Sequence, residues 1–68
     1  MTTNIRHANR AIDILGGNSA TAEVFGIRRQ AVWKWRHRGI PANRVRTMVA
    51  LVDHQVSAHE LRPDVFGR

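Results

Sequence analysis

The segment 28–38 reads RRQAVWKWRHR, and its side chains suit the reading of base edges in a nucleic-acid groove. Arginine carries a planar fork of N–H donors that fits O6 and N7 of guanine, and glutamine matches N6 and N7 of adenine. Tryptophan adds a flat apolar ring and lysine a compact cation. Arg28, Arg29, Gln30, Trp33 and Lys34 are therefore the candidate base readers, with Arg29 and Gln30 the main specificity residues. Candidate phosphate contacts lie around them. Arg36, His37 and Arg38 trail the same segment and Arg44 follows, with Arg46 a further cation nearby. Asn18 and Ser19 open an earlier helix, whose first N–H groups and dipole favour an anion.

A helix that presents such side chains must fit a groove about 12 Å wide, with a neighbouring helix bracing it across the backbone. The stretch from Asn18 to Trp35, NSATAEVFGIRRQAVWKW, contains both. Asn18 or Ser19 is expected to cap a helix that runs to about Phe25, with Ala20, Ala22 and Phe25 available for packing. Gly26 supplies the permissive backbone of a sharp turn, and Ile27 tucks beneath it. A second helix is expected from about Arg29 to Arg38, with Ala31, Val32 and Trp35 on its inner face. Ala22 is small enough to let the two helices approach. Phe25, Ile27, Val32 and Trp35 then form the wedge between them.

The charge pattern points the same way. Eleven Lys and Arg against five Asp and Glu leave a net charge of +6. Between Val24 and Val52 stand Arg28, Arg29, Lys34, Arg36, Arg38, Arg44 and Arg46, with no acidic residue among them. A one-sign field of this density attracts polyanions and opposes folding by self-repulsion. A surface selected only for solubility mixes both signs.

The rest of the chain reads as scaffold. Ile5, Ala8, Ala11, Ile12 and Leu15 have helical spacing over Asn4 to Leu15, and Gly16 and Gly17 end that segment. Arg6 and Arg10 belong to its outer face. Gly39, Ile40 and Pro41 mark the next boundary, and Val45, Met48, Val49 and Val52 form an i, i+3, i+4, i+7 stripe over Ala42 to Asp53. Ser57 followed by Glu60 resembles a capping box for a short helix from Ala58 to Arg62, which Pro63 stops. Leu61, Val65 and Phe66 are expected to be buried. No segment alternates like a strand. The expected architecture is all-α, a compact bundle of four to five short helices in one domain over residues 1–68, with the tail 54–68 holding the fifth.

Two stretches resemble a known family. The helix-turn-helix segment is similar to that of phage Cro-type repressors and related YdaS-like regulators. GIPANRVRTMVALV…VSAHELRPDVF resembles the same family, so the similarity runs from about Gly16 to Phe66. The resemblance implies a lambda-repressor-like fold. It also implies a small phage or prophage regulator that binds double-stranded operator DNA, usually as a homodimer on a near-palindromic site. By position, Arg28, Arg29 and Gln30 sit where the recognition helix meets the groove, with Trp33 and Lys34 one turn on. Relatives commonly have a capping serine in place of Arg28. Arginine does not cap, which leaves Arg28 between base and phosphate contact. Trp33 replaces a usually small residue: it lies against thymine methyls in the groove, or it is buried beside Trp35.

Other chemistries are poorly served. His7, His37, His54 and His59 form no pair at i, i+3 or i+4, and the chain has no cysteine, so no metal site and no disulfide is expected. Asp13, Glu23, Asp53, Glu60 and Asp64 are scattered, with no triad context and little core to hold a substrate pocket. No enzyme activity, cofactor or small-molecule substrate is expected. The chain has neither an apolar run long enough to span a membrane nor a signal-peptide core, so a cytoplasmic protein of a bacterial host, nucleoid-associated when bound, is expected. RNA is a weaker partner, because single-strand platforms use exposed aromatic sheets. The rival reading is an antitoxin-like module that docks a protein through Leu61, Val65 and Phe66.

Overall fold

In the structure, a computed structural model, the backbone of residues 2–66 and the side chains of residues 5–66 are described. Met1, Gly67 and Arg68, the ends of the expected 1–68 domain, lie outside the described residues. The order is α1 (Thr2–Ile14), α2 (Asn18–Phe25), α3 (Arg29–Arg38), α4 (Ala42–Leu51), α5 (Ala58–Leu61) and α6 (Pro63–Phe66). No strand occurs among the described residues. The all-α architecture is as expected, with one more helical turn than the four or five helices foreseen.

Ala8, Ala11 and Ile12 form the buried stripe of α1, and Leu15 packs against the same core from the turn that follows. Gly17 donates to the Ile12 carbonyl at 3.0 Å and Gly16 to that of Asp13 at 3.0 Å, which closes the helix end. Gly17, not Asn18 or Ser19, is then the N-cap of α2, and no side chain caps that end. Asn18 is the first helical residue, and its amide is drawn inward to another partner described below.

The turn from α2 to α3 depends on Gly26, whose left-handed φ of 68° is a conformation L side chains rarely adopt. It lets Ile27 N–H reach the Ala22 carbonyl at 2.9 Å while Gly26 N–H bonds that of Glu23 at 3.2 Å. These paired bonds satisfy carbonyls that the helix end leaves open. They also swing Ile27 against the core. Val32 and Trp35 of α3 are buried, and the Trp35 ring meets Phe25 edge-on with centroids 5.2 Å apart. The wedge of Phe25, Ile27, Val32 and Trp35 thus forms as the spacing implies.

Helix α4 ends at Leu51 rather than Asp53. The apolar stripe overruns the helix because Val52 stays buried as its C-cap. Asp53 and His54 then both take positive φ, 56° and 62°. Their N–H groups bond the Ala50 and Val49 carbonyls at 3.1 and 3.0 Å, the same closure that Gly26 makes for α2. The chain turns back here, which buries Val56 and brings α5 under α1 and α4. The capping box at α5 is present in full: Glu60 N–H donates to Ser57 Oγ at 3.1 Å and Ser57 N–H to Glu60 Oε1 at 3.0 Å. Pro63 does end α5, but it also begins α6, because the first helical position needs no N–H. Leu61 is buried and Phe66 packs on the core, whereas Val65, expected inside, is half exposed.

The packing explains how α3 is held. It lies against α1 and α2 on its inner side, while α5 supports α1 from behind and joins α4 to α6. The core is small, so polar ties between helices carry weight beside apolar burial, which is worth about 1.5–3 kcal/mol per large aliphatic side chain.

Candidate nucleic-acid interface

Helical geometry sorts the outward residues of α3 into rows. Arg29, Trp33 and His37 are four apart and share one row; Gln30, Lys34 and Arg38 share the next. All six are exposed, as is Arg28, the N-cap of α3. Arg28 makes no side-chain cap bond, as its chemistry requires. Arg29, Gln30 and Trp33 line an open depression of about 330 Å³ together with Asn18 and Ser19 of α2. Lys34 and Arg38 border a second one of about 250 Å³ with Ala31, Trp35, Gly39 and Pro41. Four of the five expected base readers, all but Arg28, thus line the two depressions on the outer face of α3.

Trp33 does not lie beside Trp35. It is 55% exposed, and its indole lies tilted against the His37 imidazole, centroids 4.1 Å apart at 47°. Trp35 takes the core and Phe25 as its neighbour. The two tryptophans, two residues apart on a helix, point to opposite sides.

Arg36 is the main departure from the expected phosphate contacts. Its Nε donates to Asn18 Oδ1, its Nη1 to Asn9 Oδ1 at 2.6 Å and its Nη2 to Asp13 Oδ1 at 2.7 Å. Asn9 in turn donates to the Arg36 carbonyl at 3.0 Å. One guanidinium therefore ties α1, α2 and α3 together, with its side chain only 23% exposed. Arg36 stands four residues after Val32 and next to Trp35, so helical spacing turns it toward the inner face. Asn18 is spoken for by the same fork, which leaves its backbone, not its amide, at the open end of α2. Arg44 is half-buried and its guanidinium carbon sits 5.9 Å from the Phe25 ring centroid, within cation–π range. Ser19, His37, Arg38 and Arg46 remain exposed.

Titratable groups with shifted affinities lie away from this face. The Ser57 N–H holds the Glu60 carboxyl below the ordinary glutamate value, helped by His7, whose Nε2 is 3.9 Å from Glu60 Oε2. Hydrogen bonds from Arg62 lower Asp64 and raise Arg62 in return. Arg62 also donates to the Ile40 carbonyl at 3.2 Å, which pins the tail to the loop after α3. Among the described residues no group of three or more His, Asp or Glu is placed to hold a metal. No described helix is long and apolar enough to cross a membrane.

The sequence profile of the family described as bacterial toxin YdaS matches residues 8–68. The chain belongs to the YdaS family. The match takes in α2, α3 and every residue of the interface, and it begins at the first buried alanine of α1. No curated protein and no solved structure matches the chain at a significant level.

Two polar residues of this YdaS-family chain escape a reading by residue type. Asn9 and Asp13 stand four apart on α1, directly beside its buried stripe, and look like ordinary surface polarity. Their signal lies in α3: an arginine in step with the buried Val32 needs acceptors on whichever helix packs there. The sequence does not say which helix that is.

Proposed function

We propose that this chain is a sequence-specific regulator that binds double-stranded DNA through α3 in the major groove. The observation that carries this reading is the outer face of α3. Arg29, Gln30, Trp33 and Lys34 are exposed there, with Arg28 at the helix start, and the helix lies within a segment of seven cations and no carboxylate. Arg29 and Gln30 read bases; Ser19, the open N-terminus of α2, His37, Arg38 and Arg44 meet phosphates. In finer terms the reading is a Cro-like repressor of phage or prophage origin. It acts in the bacterial cytoplasm as a homodimer on its operator, with no catalysis and no cofactor.

Titration against a pool of randomised duplexes tests this directly. A sequence enriched over the pool supports the reading, and uniform binding to all duplexes refutes it. Arg29→Ala or Gln30→Ala is expected to reduce discrimination among operator variants by about 1–3 kcal/mol per lost base contact. Lys34→Ala and Arg38→Ala are expected to weaken binding to all sequences alike and to flatten its salt dependence.

The family's description as a toxin supports a second reading, in which the protein arrests growth of its host cell. Raised expression of the intact chain, compared with the Arg29→Ala variant, checks it. Growth arrest relieved by that substitution places toxicity on the same face. Arrest that persists, with a protein partner recovered, moves the function to a docking surface.

A further inference from the structure

Trp33 is a large apolar ring on the most basic face of the molecule. Water contact over half of an indole is unfavourable, and the aromatic rings of the core do not remove it: Trp35 and Phe25 pair with each other on the other side of α3. What holds Trp33 is His37, one turn on, which covers part of its ring. The ring lines the depression that it shares with Arg29 and Gln30.

The chemistry of a duplex narrows what such a ring can meet. Base faces are stacked on each other, so a helix in the groove meets only edges. On the major-groove edge the apolar group is the C5-methyl of thymine, and the rest is hydrogen-bond donors and acceptors. The surrounding cations favour this polyanionic partner over an apolar protein surface. Arg29 and Trp33 lie four residues apart in one row, about 6 Å along the helix axis. With bases stacked about 3.4 Å apart, that offset corresponds to roughly two base pairs.

We infer that Trp33 reads the C5-methyl of a thymine within about two base pairs of the base contacted by Arg29, with His37 as the positioning residue that sets the ring. The inference rests on the duplex-binding reading above.

The experiment uses the full chain and the duplex that it enriches from a random pool. Each thymine of that duplex is replaced singly by uracil, which removes only the methyl group. At one position, uracil is expected to weaken binding about three- to tenfold, the scale of one buried methyl or methylene. Trp33→Ala is expected to bind the thymine and uracil duplexes equally, whereas Arg29→Ala keeps the preference for thymine. His37→Ala is expected to shrink the preference without abolishing it. An enriched sequence at which no thymine is sensitive overturns this inference and leaves the duplex-binding reading standing. So does an unchanged thymine preference in Trp33→Ala. A pool with no enriched sequence overturns both.

Discussion

A single guanidinium joins three helices of this molecule. Arg36 donates to Asn9, Asp13 and Asn18, so α3 is tied to α1 and α2 by one side chain with three acceptors. A fork can do this and an ammonium cannot, since lysine presents a compact charge on a flexible stem. Arg36→Ala is expected to cost about 1–2 kcal/mol, the value of partly buried charge-assisted hydrogen bonds discounted for solvent. Arg36→Lys is expected to recover little of it. Asp13→Ala, which removes the exposed acceptor, is expected to cost less than about 1 kcal/mol. Urea denaturation of the three variants checks the order, and an Asp13→Ala loss equal to that of Arg36→Ala would falsify the three-acceptor account. The same residue shows how an assignment by type goes astray. Arg36 and Arg38 are both cations at the end of a basic helix, yet only Arg36 stands four residues after the buried Val32.

At the scale of elements, two helix ends use the same closure with opposite residue choices. Gly26 occupies the left-handed position after α2 at little steric cost, while Asp53 occupies the equivalent position after α4. Gly26→Ala is therefore expected to destabilise the fold by about 1 kcal/mol and Asp53→Gly to stabilise it by up to about 1 kcal/mol. In a domain of this size each corresponds to a shift of about 4–8 °C per kcal/mol in Tm, readable in a thermal melt. If both substitutions lowered Tm, Asp53 would be making a contact that outweighs its backbone conformation. Helix α5 adds a dependence on pH. Glu60 releases its proton more readily in the folded chain than in the unfolded one. Its contribution is present above the unfolded value and fades as pH falls through the lower folded value, and Asp64 acts in the same sense. Melting temperature is expected to drop on acidification through the carboxylate range, and less steeply in Glu60→Gln, which has no carboxyl to protonate. The elements themselves were largely legible. Helix α3 has the bounds that its spacing implied, and the capping box was readable from Ser57 and Glu60 alone. The end of α4 was not, because burial of Val52 continues the apolar period past the last helical residue.

For the molecule as a whole, size bears on assembly. The longest extent is 31 Å, and symmetric half-sites lie about 34–36 Å apart. One copy is shorter than that distance, so on the proposed reading a palindromic operator takes two. Sedimentation of the protein with its enriched duplex is expected to show two copies per site. One copy on a non-palindromic sequence would remove the dimer while leaving base reading intact. The basic field also predicts the salt response of the whole molecule: affinity falls steeply and linearly in log–log form as counterions are released.

Helical periodicity, glycine breaks and the acid-free run of cations are local properties of the chain, and they sufficed for an all-helical fold with a basic outer face on α3. Each depends on residues within about two turns of one another, where spacing alone sets which side chains share a face. Burial and pairing across helices depend on which elements meet. Packing of α1 against α3 made Arg36 an internal tie and took Asn18 with it. The pairing of Trp35 with Phe25 filled the core and left Trp33 outside. Two arginines, or two tryptophans, two residues apart are chemically equivalent in a sequence. They part company once a neighbouring helix covers one side, because burial admits the side chain that finds partners there and leaves the other to water.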